Sequence, residues 1–141
     1  GYCTALENAG ISIRNSLVYR GDYTIRGGVR GLEELVRNNP DMTAVFVTNY
    51  EMTMGAMIGV NELGIQIPEQ LSIIGFDNLP FARACRPKLT IVSQPTDGIA
   101  REVARIMLER LENKESQSEE HFKEKLQTEI MEGKSVRVLK R

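Results

Sequence analysis

Apolar positions along the chain follow two rhythms in turn. Helical spacing places Tyr2, Leu6 and Ala9 on one face of Gly1–Ala9, with Gly10 as a stop. It returns at Ile25, Val29, Leu32 and Val36, in a helix that runs to Asn38 and is halted by Asn39-Pro40. A third helix is expected from Glu51 to Leu63, before Gly64. A fourth runs from Asp97 to Leu111, with Ile99, Val103, Ile106 and Met107 on one face and Thr96 or Asp97 as cap. Between them stand short apolar runs that suit strands: Leu17–Tyr19, Ala44–Val47, Ser72–Phe76 and Leu89–Ser93. The Ala44–Val47 run reads as a strand covered on both faces. Asn113–Lys125 is polar and charge-dense, a solvated loop by pattern. Leu126–Met131 and Val136–Leu139 alternate like a hairpin around Glu132-Gly133-Lys134. Alternating strands and helices predict an α/β fold with a mostly parallel open sheet flanked by helices.

The ends of the strand runs carry the chemistry. Gly21-Asp22-Tyr23, Thr48-Asn49, Asp77-Asn78 and Gln94-Pro95 follow successive runs. In a parallel sheet these ends share one edge, where open α/β sheets form a ligand crevice. Carboxylates and amides bind hydroxyls in the geometry a polyol needs, and a ring such as Tyr23 stacks on a sugar or base face. A blander reading stays open for each residue alone: Asn49 as a helix cap, Asp77 or Asn78 as turn formers. Gly55 and Gly59 each cost about 1 kcal/mol of helix propensity. That cost suggests close approach of another backbone, either the sheet or a second subunit. Met52, Met54 and Met57 read as core or interface packing rather than a soft-metal site.

Composition narrows the function. The chain has 141 residues, enough for one hydrophobic core, and 18 basic against 19 acidic side chains. A net charge of −1 argues against a nucleic-acid grip in this segment. No apolar run nears the roughly 20 residues that cross a bilayer, so no membrane partner is expected. Cys3 and Cys85 fit no metal spacing and are expected as reduced thiols in the cytoplasm. Gly27, Gly28 and Gly31 form no phosphate loop. His121 stands alone in the charged loop, so no catalytic residue, metal site or cofactor is assigned. Nothing precedes Gly1–Ala9 as a cap, and the chain is expected to be part of something longer.

Taken in order, several of these motifs resemble the LacI/GalR family of bacterial transcription regulators, over about residues 1–111. They are Gly1-Tyr2 with Ala5-Leu6, Gly21-Asp22-Tyr23, Gly55-Ala56-Met57, the Gly64–Pro68 turn, Gly75-Phe76-Asp77-Asn78, and Pro87-Lys88-Leu89-Thr90 leading to Gln94-Pro95. The resemblance implies the carboxyl-terminal part of a type I periplasmic-binding-protein-like core, in which two subdomains hold an effector between them. Residues 1–95 would form the C-terminal subdomain. Residues 96–125 would be a helix and loop returning to the N-terminal subdomain, and residues 126–141 the terminal strands.

It further implies that Tyr23, Asn49, Asp77 and Gln94 face a small-molecule effector, and that Met54, Gly55, Met57, Ile58 and Phe81 lie at a homodimer interface. Operator DNA would be bound only through an N-terminal helix-turn-helix domain that this chain lacks. The family often has Asn-Asp where Asn49-Tyr50 stands, and an arginine where Gly133 stands. Its first strand of this subdomain has no counterpart here, which predicts an open sheet edge. The leading expectation is an effector-binding and dimerisation part of a cytoplasmic sugar- or metabolite-responsive repressor. The alternative is a periplasmic sugar-binding protein of a transport system. A sugar-modifying enzyme would need a nucleophile–base pair that the sequence does not offer.

Overall fold

The computed structural model describes residues 1–77, 79–112 and 123–139. Its elements are α1 (Tyr2–Asn8), α2 (Ile25–Asn38), β1 (Ala44–Phe46), α3 (Tyr50–Glu62), β2 (Ser72–Phe76), α4 (Leu79–Ala84), β3 (Thr90–Ser93), α5 (Thr96–Glu112) and β4 (Glu129–Met131). The sheet order is β1-β2-β3-β4, parallel across the first three strands and antiparallel between β3 and β4. The expected α/β architecture, a mostly parallel open sheet with flanking helices, is the one observed.

Helices α2 and α3 pack tightly because glycines let them. A Cβ at Gly55 would meet the Ile25 carbonyl, one at Gly28 the Met52 backbone, and one at Gly59 the Leu32 side chain. The close backbone approach predicted for Gly55 therefore exists, but its partner is α2 rather than the sheet or a second subunit. Below this pair the core gathers Leu32, Ala56, Met57, Val60, Ile73, Ile91 and Ala82, with Ile67, Leu71 and Leu89 from the loops.

Three local expectations fail, each for a physical reason. Leu17–Tyr19 is not a strand: Asn15–Leu17 forms a single 3-10 turn that joins no ladder. Arg14, just before it, bonds Asp41 at 2.7 Å, and the Ser16 hydroxyl within it donates to Asn39 Oδ1 at 2.7 Å, tying this segment to the end of α2. This segment and β1 both line a cavity of about 470 Å³, and no ladder joins them. Among the described strands β1 is accordingly one of the sheet's two edges. It is not covered on both faces, since Ala44 is exposed and Phe46 is 46% exposed.

The segment after Phe76 holds a helix, α4, that the helical spacing of apolar positions does not mark. Finally, Val136–Leu139 is not a strand, and Val138 is 87% exposed. After β4 the chain instead passes across the amino ends of β2 and β3. There Ser135 is fully buried. Its hydroxyl donates to the Ile73 carbonyl at 2.6 Å and accepts from the Thr90 N–H at 2.8 Å. Gly133 makes that passage possible, because a Cβ there would run into the Leu89 and Lys88 backbone. The expected loop Asn113–Lys125 lies outside the described residues over 113–122, as does His121.

Candidate functional site

Strand register fixes the site's frame. Phe46 pairs with Ile74 and Phe76 with Val92, all parallel. Asn49, Asp77 and Gln94, each just past its strand, therefore converge on the carboxyl edge of the sheet.

Asn49 is in β conformation and caps α3, its side chain accepting from the Met52 N–H at 3.1 Å. The capping role is thus real, and it leaves the side-chain NH2 as a donor at this edge. Asp77 takes the left-handed backbone region at φ 56°, and its N–H donates to the Val92 carbonyl at 2.8 Å. Its carboxylate accepts from the Gln94 backbone N–H at 3.1 Å and the Gln94 side-chain amide at 2.7 Å. Asp77 and Gln94, which the sequence could only place on one edge, are direct partners.

Tyr23, just before α2, is the other described non-glycine residue with positive φ, at 60°. A bulky side chain held there stores roughly 1–2 kcal/mol of strain, a cost that recurs where function demands a particular geometry. The ring is 73% exposed and, with Thr48 and Met52, lines the cavity beside β1. Asn49, Asp77 and Gln94 do not line that cavity, which extends from Tyr23 along the open edge rather than across the strand tips.

Asp22 faces inward to its own turn. Its Oδ1 accepts from the Thr24 hydroxyl at 2.7 Å, and Arg30 reaches Oδ2 at 2.8 Å. The Thr24 hydroxyl and N–H, helped by Arg30, hold this carboxyl below its usual range. Asp22 is therefore a turn former that supports Tyr23. Among the described residues no group of three or more His, Cys, Asp and Glu could hold a metal ion. Both cysteines are free, and burial pushes the Cys85 thiol up, away from its reactive form.

The interface candidates divide. Gly55 sits inside the α2–α3 contact and Met57 is 6% exposed within the core, so neither presents surface to a partner. Ile58 is exposed, while Met54 and Phe81 are half-buried.

The model of the periplasmic binding protein-like domain matches residues 1–136. The chain belongs to that family. Within it, the chain is 39% identical over 116 residues to catabolite control protein A of Priestia megaterium, covering 82% of this chain and 35% of that protein. A solved complex of the transcriptional regulator CelR with cellobiose superposes with a TM-score of 0.85 at 32% identity, over 95% of this chain and 40% of that one. A LacI-family regulator from Enterococcus faecium with bound ribose gives 0.81 at 28% identity, over 99% and 50%. This periplasmic-binding-protein-like chain spans about a third of the length of the curated regulators it matches. Its resemblance to the LacI/GalR regulators is borne out by these relatives.

Proposed function

We propose that this chain is the effector-binding and dimerisation part of a cytoplasmic bacterial transcription regulator, responsive to a sugar or related metabolite. The observation that carries the reading is the convergence of Asn49, Asp77 and Gln94 just past parallel strand ends. Donors and acceptors grouped at that edge match a polyol's hydroxyls. Tyr23, held in a strained conformation near the same edge, supplies a ring to stack on a sugar face. Sugars bound to related regulators, cellobiose in CelR and ribose in the Enterococcus faecium protein, support the substrate class. Relatives that are transcription regulators favour this reading over a transport protein and over an enzyme.

Residues 1–95 then form one subdomain wall of the effector cleft, and β4 completes its sheet. Helix α5 then leads toward a second subdomain. Its surface supports this, since none of its residues is buried and Val103, Met107, Leu108 and Leu111 are all more than half exposed. Pairing of two copies would use the outer face of α3 at Met54 and Ile58 together with Phe81. Operator DNA would be engaged by a separate helix-turn-helix domain.

A thermal-shift screen of the intact regulator against ribose, cellobiose, sugar acids and purines tests the reading. A sugar is expected to raise the melting temperature, and Asp77→Ala to abolish that rise with the fold intact. An unchanged rise in the variant would remove Asp77 from the site.

A further inference from the structure

Asp77 does not offer a free carboxylate. Each of its oxygens already accepts a bond from the same residue, Oδ1 from the Gln94 backbone N–H and Oδ2 from the Gln94 side-chain amide. The two bonds differ in kind. The backbone bond joins groups already fixed by the β2–β3 ladder, where the Asp77 N–H holds the Val92 carbonyl at 2.8 Å. The amide bond ends a flexible side chain, and both residues are only half-buried, within reach of a solute. Gln94 is also the first link of the β3–α5 connection. Its carbonyl accepts from the Thr96 N–H at 2.9 Å, and the Pro95 carbonyl accepts from the Ile99 N–H at 2.9 Å.

Resting on the effector reading above, we propose that the Gln94 side-chain amide is a built-in competitor for the effector at Asp77. A ligand hydroxyl takes Oδ2, the amide is released, and the β3–α5 connection loses one of its two ties to β2. The exchange swaps one neutral donor on a carboxylate for another, so it is nearly even in hydrogen bonds and readily reversed. Binding at Asp77 is thereby coupled to the setting of α5, and by linkage any contact that shifts α5 changes affinity for the effector.

The test uses the intact regulator, with ribose, glucose and cellobiose titrated calorimetrically into the wild type, Gln94→Leu, Gln94→Ala and Asp77→Ala. Removing the competitor is expected to tighten sugar binding by roughly 3- to 10-fold, the worth of one net hydrogen bond. In the wild type, the Gln94 side-chain amide resonances should shift on saturation and lose protection from hydrogen exchange. Unchanged or weaker sugar binding in both Gln94 variants overturns the competitor and leaves the site, since the amide then blocks nothing at Asp77. Failure of all three sugars to bind, or undiminished binding to Asp77→Ala, overturns the site reading and the competitor with it.

Discussion

At the amino ends of β2 and β3, Ser135 bonds the Ile73 carbonyl and the Thr90 N–H from a position with no solvent exposure. At the carboxyl ends of the same strands, Asp77 bonds Gln94 twice but stays half-exposed. Both arrangements use a polar side chain to staple neighbouring strands. Burial separates their uses. Where water is excluded, a lost partner leaves a donor or acceptor stranded, and the staple becomes structural. Where water or a solute can substitute, the same bonds can be exchanged without unfolding the sheet.

Mutating both ends probes that contrast most directly. Ser135→Ala strands the Thr90 N–H and the Ile73 carbonyl, and chemical denaturation should report a loss of about 1–3 kcal/mol. Gly133→Ala forces a Cβ onto the Leu89 backbone and should cost a similar 1–3 kcal/mol, roughly that of overpacking. If either variant is as stable as the wild type, the amino end is no tighter than the carboxyl end and the comparison fails.

Asn49→Ala sharpens it from the other side, because Asn49 is both a cap of α3 and a candidate ligand contact. Lost capping should lower stability by about 1 kcal/mol, measured by the same denaturation, and sugar affinity should fall alongside. Asp77→Asn, which tolerates the left-handed backbone that alanine would strain, is expected to cost less than about 1 kcal/mol, since water can replace the partly exposed partner, while sugar binding falls. A larger loss of stability would mean that the carboxyl edge is built as a structural staple too.

The smallest effect concerns the turn beneath Tyr23. Asp22 has a folded-state carboxyl lowered chiefly by the Thr24 hydroxyl, so its contribution is present above the ordinary carboxylate range and fades as pH falls through the lowered value. Protection factors of the amides in the first turn of α2, corrected for the intrinsic pH dependence of exchange, should fall over that acid window. Asp22→Asn should flatten the pH dependence; an identical profile in the variant would detach Asp22 from the turn.

How much of this was legible in the sequence depended on the range of the interactions involved. Helices α2 and α3 and strands β2 and β3 were readable within a residue or two because periodicity and the Asn39-Pro40 and Gly64 stops are local signals. Asn49, Asp77 and Gln94 could be placed on one edge, because parallel strands bring their ends together whatever the details. The Asp77–Gln94 pairing could not be read, since it depends on register across 17 residues. Leu17–Tyr19 misled because an apolar run signals a strand only when a partner edge is near. Glu132-Gly133-Lys134 suggests a hairpin turn by composition, yet Gly133 and the neighbouring Ser135 serve long-range contacts instead. Their real partners sit at Leu89, Thr90 and Ile73, and no window along the chain joins those residues. Gly55 gave a true signal of close packing without naming the neighbour.

The Ser135 contacts also set an order of events during synthesis. Its hydroxyl closes on residues 45 and 62 positions earlier in the chain. At roughly 5–20 residues per second, a ribosome delivers β2 and β3 several seconds before the side chain that seals their amino ends. Through that interval the nascent sheet is open at its amino end, and Ile73 and Thr90 lack their Ser135 partner. A holdase chaperone or a paused ribosome would meet this protein in that half-sealed form, and the arrival of Ser135 would end its access.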